Sequence, residues 1–277
     1  MSELKSFIEY LYSLATNMSD TVIIGIVSDD VKALNSIYSN SGLIEECYNI
    51  LAPISLILCL AYLITGWTQE SLNPKSTKEI YLKLFIRFIC SCMLIMNGYE
   101  IMIFFHKFFD SMTLEIIDKM SIASPGNISN TPNFLGGFFE LIFSLIFMLP
   151  QVLITIIYFV IVKVVLVRRS IDIGAHIVLS SLTMPSFILE SKHSNFIMFL
   201  KRFAALCLQG GIIVTIVIVS NIVMKEALVI MGPDGFDTIY VFSWLSSLKN
   251  IIIVLTMVSL LFKSRGIAMD LVGSRDY

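Results

Sequence analysis

Charge is what this sequence has least of. Asp, Glu, Lys and Arg make up 14% of the 277 residues, against about 25% in ordinary globular domains. Apolar residues reach 56% and the mean hydropathy is +0.84, so the chain reads as an integral membrane protein. Little of it is left outside a bilayer to build a soluble catalytic domain. Also missing are a nucleotide-binding P-loop, a dinucleotide fingerprint, a nucleophile elbow and an HExxH helix, and with them the chemistry those motifs carry. Cysteine is confined to Cys47, Cys59, Cys90, Cys92 and Cys207. All lie in or beside apolar stretches without a metal-type CxxC pair, and they read as small apolar packing residues. No enzymatic activity, cofactor or metal site is expected.

Long hydrophobic runs are what the sequence has in excess. A crossing needs about 20 mostly apolar residues. Residues 47–69, 141–162 and 203–224 supply this without an interrupting charge. Residues 84–105, with Arg87 and Glu100, and residues 238–262, with Lys249, supply it with one or two. A further apolar stretch, 177–189, carries Pro185 and would reach only about 20 Å as a helix, too short to cross. It is expected to stay on one side as a re-entrant or interfacial helix. The fold expected is therefore all-α and polytopic, with about five transmembrane helices.

The charges decide the orientation. Twelve of the cations fall in 69–83, in 163–202 and in the tail 263–277. The opposite set of segments, which includes residues 1–46 and the loop 106–137, holds five cations and thirteen acids. By the positive-inside rule the N-terminus is exported and the C-terminus cytoplasmic. A sixth crossing at 177–189 would carry Lys192, Lys201 and Arg202 outside. The opening residues lack the pattern of a cleaved signal peptide. Leu4, Phe7, Ile8, Leu11 and Leu14 instead recur at helical spacing, which predicts an exported amphipathic helix, with a second over 22–37.

A few residues inside or beside the spans could do more than pack. Glu100 and Lys249 lie at similar depth, about 7 Å below the outer surface if Trp244 anchors the last span. An interhelical ion pair, independent snorkelling and the lining of a pore are all open. Asp172 and His176, four apart, share a helix face, as a proton relay or as a solvated polar face. Pro53 and Pro150 are candidate helix kinks. Asn97, Gln151, Gln209, Asn221, Gly210 and Gly211 are of the kinds that hold helices together in lipid.

The stretch Arg168-Arg169, Thr183-Met184-Pro185-Ser186-Phe187, Ser194-Asn195-Phe196 and Phe199-Leu200-Lys201-Arg202-Phe203-Ala204-Ala205, leading through Gln209 into a span, forms a pattern. So does the end of the chain, with Lys263-Ser264-Arg265-Gly266-Ile267-Ala268 and Gly273. Together they resemble the TrbL-type family of conjugal-transfer proteins, the polytopic inner-membrane subunits of type IV secretion systems. The resemblance implies an exported N-terminus, about five spans and a cytoplasmic C-terminus, the topology the charges indicate. It implies an oligomeric channel or platform subunit. Such a subunit works with secretion ATPases, a coupling protein and other subunits to move single-stranded DNA with its relaxase, or proteins. The exported loop 106–137 is shorter here than in the family's larger members. Arg168, Arg169, Pro185, Lys192, Lys201 and Arg202 form the candidate cytoplasmic docking segment, for an ATPase or a nucleic-acid backbone, with anionic lipid headgroups as the plainer ligand.

The competing reading is a permease subunit of an ATP-driven importer. Gly174 and Pro185 have nearly the separation of a coupling helix, but Arg168-Arg169-Ser170 stand where acidic and small residues are expected. A secondary transporter would show an internal repeat, and none is evident.

Overall fold

The computed structural model describes residues 42–72, 78–122, 138–190, 193–229 and 239–273, together with Ser6, Asp29, Lys32 and Ala33. Side chains at 120–145, 147, 148, 151, 152, 155 and 221–250 are not among those described. Both expected N-terminal amphipathic helices, and residues 123–137 of the expected exported loop, lie outside the described residues.

The described residues form five helices and no strand. They are α1 (Gly42–Ser71), α2 (Lys78–Ile122), α3 (Phe138–Thr183), α4 (His193–Val229) and α5 (Ile239–Val272), with a 3-10 turn at Met184–Phe187 between α3 and α4. Uninterrupted apolar and straight-chain residues explain their length. α1 stops before Asn73-Pro74, where proline disfavours the helical conformation of the residue ahead of it. α5 ends on Gly273, whose φ of +64° closes the last turn in the left-handed region. Pro53 and Pro150 each sit inside a continuous helix.

Four described helical stretches are long and apolar enough to cross a membrane: Gly42–Ser71, Lys78–Lys119, His193–Ser220 and Ile251–Val272. This fits a multi-pass membrane protein. The expected span 141–162 is helical within α3.

Two boundaries differ from the sequence-based expectation. α2 does not end at Phe105 but continues to Ile122, so residues 106–122 are helix rather than loop. α3 runs unbroken through 163–183, so the short separate element expected at 177–189 is instead the end of a 46-residue helix and its 3-10 turn. The hydroxyls there bond back to their own backbone. Ser180 donates to the Ile177 carbonyl at 2.7 Å, Thr183 to that of Ser180 at 2.9 Å and Ser186 to that of Thr183. A hydroxyl satisfied within its own turn can be buried at little cost. Pro185 starts the 3-10 turn, where its missing N–H leaves no partner unsatisfied.

The chain divides into two compact units. One gathers the described residues of Thr113–Val167 and Gly211–Ser264, and the other those of Val31–Met112, Arg168–Gly210 and Arg265–Tyr277. In the second unit, polar side chains share the interior with the apolar core, and apolar rows face outward. On α1, Tyr48, Ser55, Cys59 and Gly66 are buried, while Ile50, Ile54, Ile57, Leu60 and Ile64 form an exposed stripe. On α2, Ser91, His106 and Asp110 face inward, and Phe85, Ile89, Met93, Met96, Phe104 and Phe108 face outward.

Several buried polar groups make contacts between helices. The Tyr48 hydroxyl donates to the Ile95 carbonyl at 2.6 Å, and the Ser91 hydroxyl to that of Met184 at 3.0 Å while lying 3.2 Å from Cys59 Sγ. Gly98 makes room for this junction. A Cβ there would meet the Tyr48 hydroxyl and lie 2.5 Å from Met184 Cε.

If lipid is the solvent of the outward stripe, Ile57→Lys near the middle of α1 should lower the stability of the folded chain in nanodiscs and its level in the membrane. A cation at a span centre costs about 2.5–3.5 kcal/mol. A water-facing position would tolerate the same change within about 0.5 kcal/mol.

Candidate functional site

The most costly group of side chains in the second unit is His106, Asp110 and Arg169. His106 and Asp110 stand one turn apart on the inner face of α2, and Arg169 projects from α3. All three side chains are at most 1% exposed. Arg169 Nη2 donates to Asp110 Oδ1 at 2.9 Å and to the Cys207 carbonyl at 3.1 Å, and its Nε donates to the Leu206 carbonyl at 3.1 Å. One guanidinium thus joins α2, α3 and α4. The second carboxylate oxygen, Oδ2, lies 3.3 Å from His106 Nε2. Apolar packing surrounds the junction: Met102 and Ile103 of α2, Ile173 and Ile177 of α3, and Phe203, Leu206 and Cys207 of α4 form one buried cluster.

The carbonyls of Leu206 and Cys207 belong to the α4 ladder. Each has a second lone pair, and the planar guanidinium can take both. For this the helix must approach closely, and Gly210 allows it. A Cβ at Gly210 would lie 2.6 Å from Arg169 Cζ and under 3 Å from both terminal nitrogens. The guanidinium is the end of a long side chain, but three hydrogen bonds hold it in place. Gly211 differs: a Cβ there would meet only Thr113 Oγ1, at 3.6 Å.

Of this constellation the sequence singles out only Arg169, as a docking residue and not as a partner of Asp110 or His106. The charge count places Asp110 with the exported acids and Arg169 with the cytoplasmic docking cations, and their 2.9 Å contact removes both from those faces. The signal was nonetheless present. Phe104, Phe105, Phe108 and Phe109 carry the apolar pattern past the expected end of the span, so His106 and Asp110 are interruptions of a helix rather than residues of a loop.

Of the other docking-segment residues, Pro185 is buried, while Arg168, Lys201 and Arg202 are exposed. Lys192 lies outside the described residues. Lys201 Nζ donates to the Gly273 carbonyl at 3.3 Å, tying α4 to the end of α5. A continuous docking surface therefore loses Arg169 and Pro185 to the interior. Glu100 is exposed on α2, and the side chain of Lys249 is not among those described. The sharing of one face by Asp172 and His176 does not produce a relay between their side chains. The Asp172 carboxylate accepts from Arg265 at 3.0 Å, whereas His176 meets the Asp172 backbone carbonyl at 2.8 Å and stacks on Phe199. At the other end of the unit, Glu190 takes Lys83 at 3.2 Å and Arg87 at 2.8 Å. These two cations hold its carboxyl below the usual carboxylate range.

Buried charge sets the energetics. Removing one partner of a buried ion pair strands the other, at a cost of about 3–5 kcal/mol. Asp110→Ala should therefore lower the thermal unfolding temperature in mild detergent sharply, and combining Asp110→Leu with Arg169→Met should recover most of the loss. The glycines give a sharper contrast. Gly210→Ala should destabilise by about 1–3 kcal/mol through overpacking, and Gly211→Ala should leave stability unchanged in the same assay.

Compared with protein-family models, with curated proteins and with solved structures, the chain matches none.

Proposed function

We propose that the chain is a non-enzymatic, multi-pass subunit of a type IV secretion machine of the conjugative kind. It helps move single-stranded DNA with bound protein, or proteins alone, across a bacterial inner membrane. It assembles as an oligomer, and secretion ATPases and the coupling protein supply the work. Its membrane-spanning helices leave the N-terminal region exported and the C-terminus in the cytoplasm.

The observation that carries the reading is the placement of the residues behind the family resemblance. Met184, Pro185, Ser186, Phe196, Phe203, Ala205 and Gln209 are buried in one compact unit, and Arg169 is its ionic centre. Residues that define a resemblance and also hold a bundle together belong to a scaffold, and a scaffold is what a platform subunit must provide. Tyr48, Ser91 and Arg169 of that unit meet other helices of the same chain, as a scaffold requires.

Deleting the gene in its parent strain should abolish conjugative transfer, and the wild-type gene supplied in trans should restore it. Transfer at the parental frequency, without the protein, would overturn the proposal. In the same strain, a single cysteine at Ser36 should label from outside and one at Ser191 only after the membrane is opened.

A further inference from the structure

The contact between Arg169 and Asp110 needs no third titratable group, yet His106 stands against the carboxylate's other oxygen. Each partner has its own oxygen: Oδ1 serves Arg169 and Oδ2 faces His106 Nε2. With the imidazole neutral, one carboxylate balances one guanidinium. A proton added to the imidazole places two cations on one carboxylate in a site that excludes water, where charges are weakly screened.

Among the described residues, the charges acting on His106 besides Asp110 are the cations Arg169 and Lys107. Lys107, on α2, is exposed. On α4 the titratable group of the junction is the Cys207 thiol. Asp172 of α3 is engaged by Arg265 of α5.

The two contacts of Arg169 are unequal in what they can release. Its bonds to the Leu206 and Cys207 carbonyls do not depend on protonation. Its bond to Asp110 competes with an imidazolium one helical turn away on the same helix. Protonation therefore favours one particular break, with Arg169 staying on α4 and Asp110 staying with His106 on α2.

We propose that His106, Asp110 and Arg169 form a proton-operated clamp, closed between α2 and the α3–α4 pair when His106 is neutral and released between them when His106 gains a proton. The clamp is a property of the chain and does not rest on the secretion reading. It accounts for an expensive ionic group where an apolar trio of similar volume would join the helices at lower cost.

The test is amide hydrogen exchange of the full chain in nanodiscs of phosphatidylcholine and phosphatidylglycerol, corrected for the intrinsic pH dependence of exchange. Between about pH 7.5 and pH 3.5, an interval wide enough for a fully buried histidine to change charge, exchange over 106–112 and 168–173 should rise about tenfold in the wild type. His106→Gln should remove the rise. Asp110→Asn should exchange fast across the whole interval. Deuterium uptake at the His106 imidazole C2 position, read in the wild type, gives that ring's own titration midpoint without any substitution. It should coincide with the midpoint of the amide response. No acid response in the wild type, an undiminished response in His106→Gln, or midpoints more than about one pH apart would each overturn the clamp.

Discussion

One guanidinium holds three helices. Arg169 reaches from α3 to a carboxylate on α2 and to two backbone carbonyls on α4, and other features of its unit can be read as conditions for that reach. Gly210 must lack a side chain. α2 must remain helical beyond Phe105 so that Asp110 faces inward. Met102, Ile103, Ile173, Ile177, Phe203 and Leu206 must close around the pair, because the same charges in contact with water would be worth little.

The wider constraint is the solvent. In water, the outward rows of Ile, Leu, Phe and Met on α1 and α2 would be an aggregation surface. In lipid they cost nothing, and burying them gains nothing either, because lipid tails are as apolar as leucine. Helices in that setting are held by close packing and by polar contacts. Tyr48 on the Ile95 carbonyl, Ser91 between Cys59 and the Met184 carbonyl, and Gly98 beneath Tyr48 and Met184 are such contacts. They sit in the same unit as the ionic junction and likewise place polar groups within an apolar interior while apolar rows face outward.

Charge sorting works where charges remain at a surface and fails where they are paired in an interior. Lys83 and Arg87 stay exposed or half-exposed with Glu190, so their sequence position describes them well. Arg169 and Asp110, 59 residues apart, are assigned to opposite faces by any count that treats each charge alone, because a count cannot register a partner. Helix ends were misplaced for a related reason. Residues 106–122 mix charge with apolar residues, and local polarity reads as loop, whereas packing on neighbouring helices keeps the segment helical; 177–183, expected as a separate short helix, continues α3.

The sequence by itself determined the solvent class, the all-helical architecture and the approximate places of the long apolar helices, since these depend on composition and run length along one stretch of chain. It also marked Gly210 and Gln209 as packing residues through their small or polar character among apolar neighbours. Only the tertiary structure decided which polar residues meet. Whether Asp110 is a solvated loop acid or half of a buried ion pair depends on a guanidinium from another helix, two carbonyls from a third and the missing Cβ of Gly210. None of these lies within a helical turn of Asp110 in the sequence.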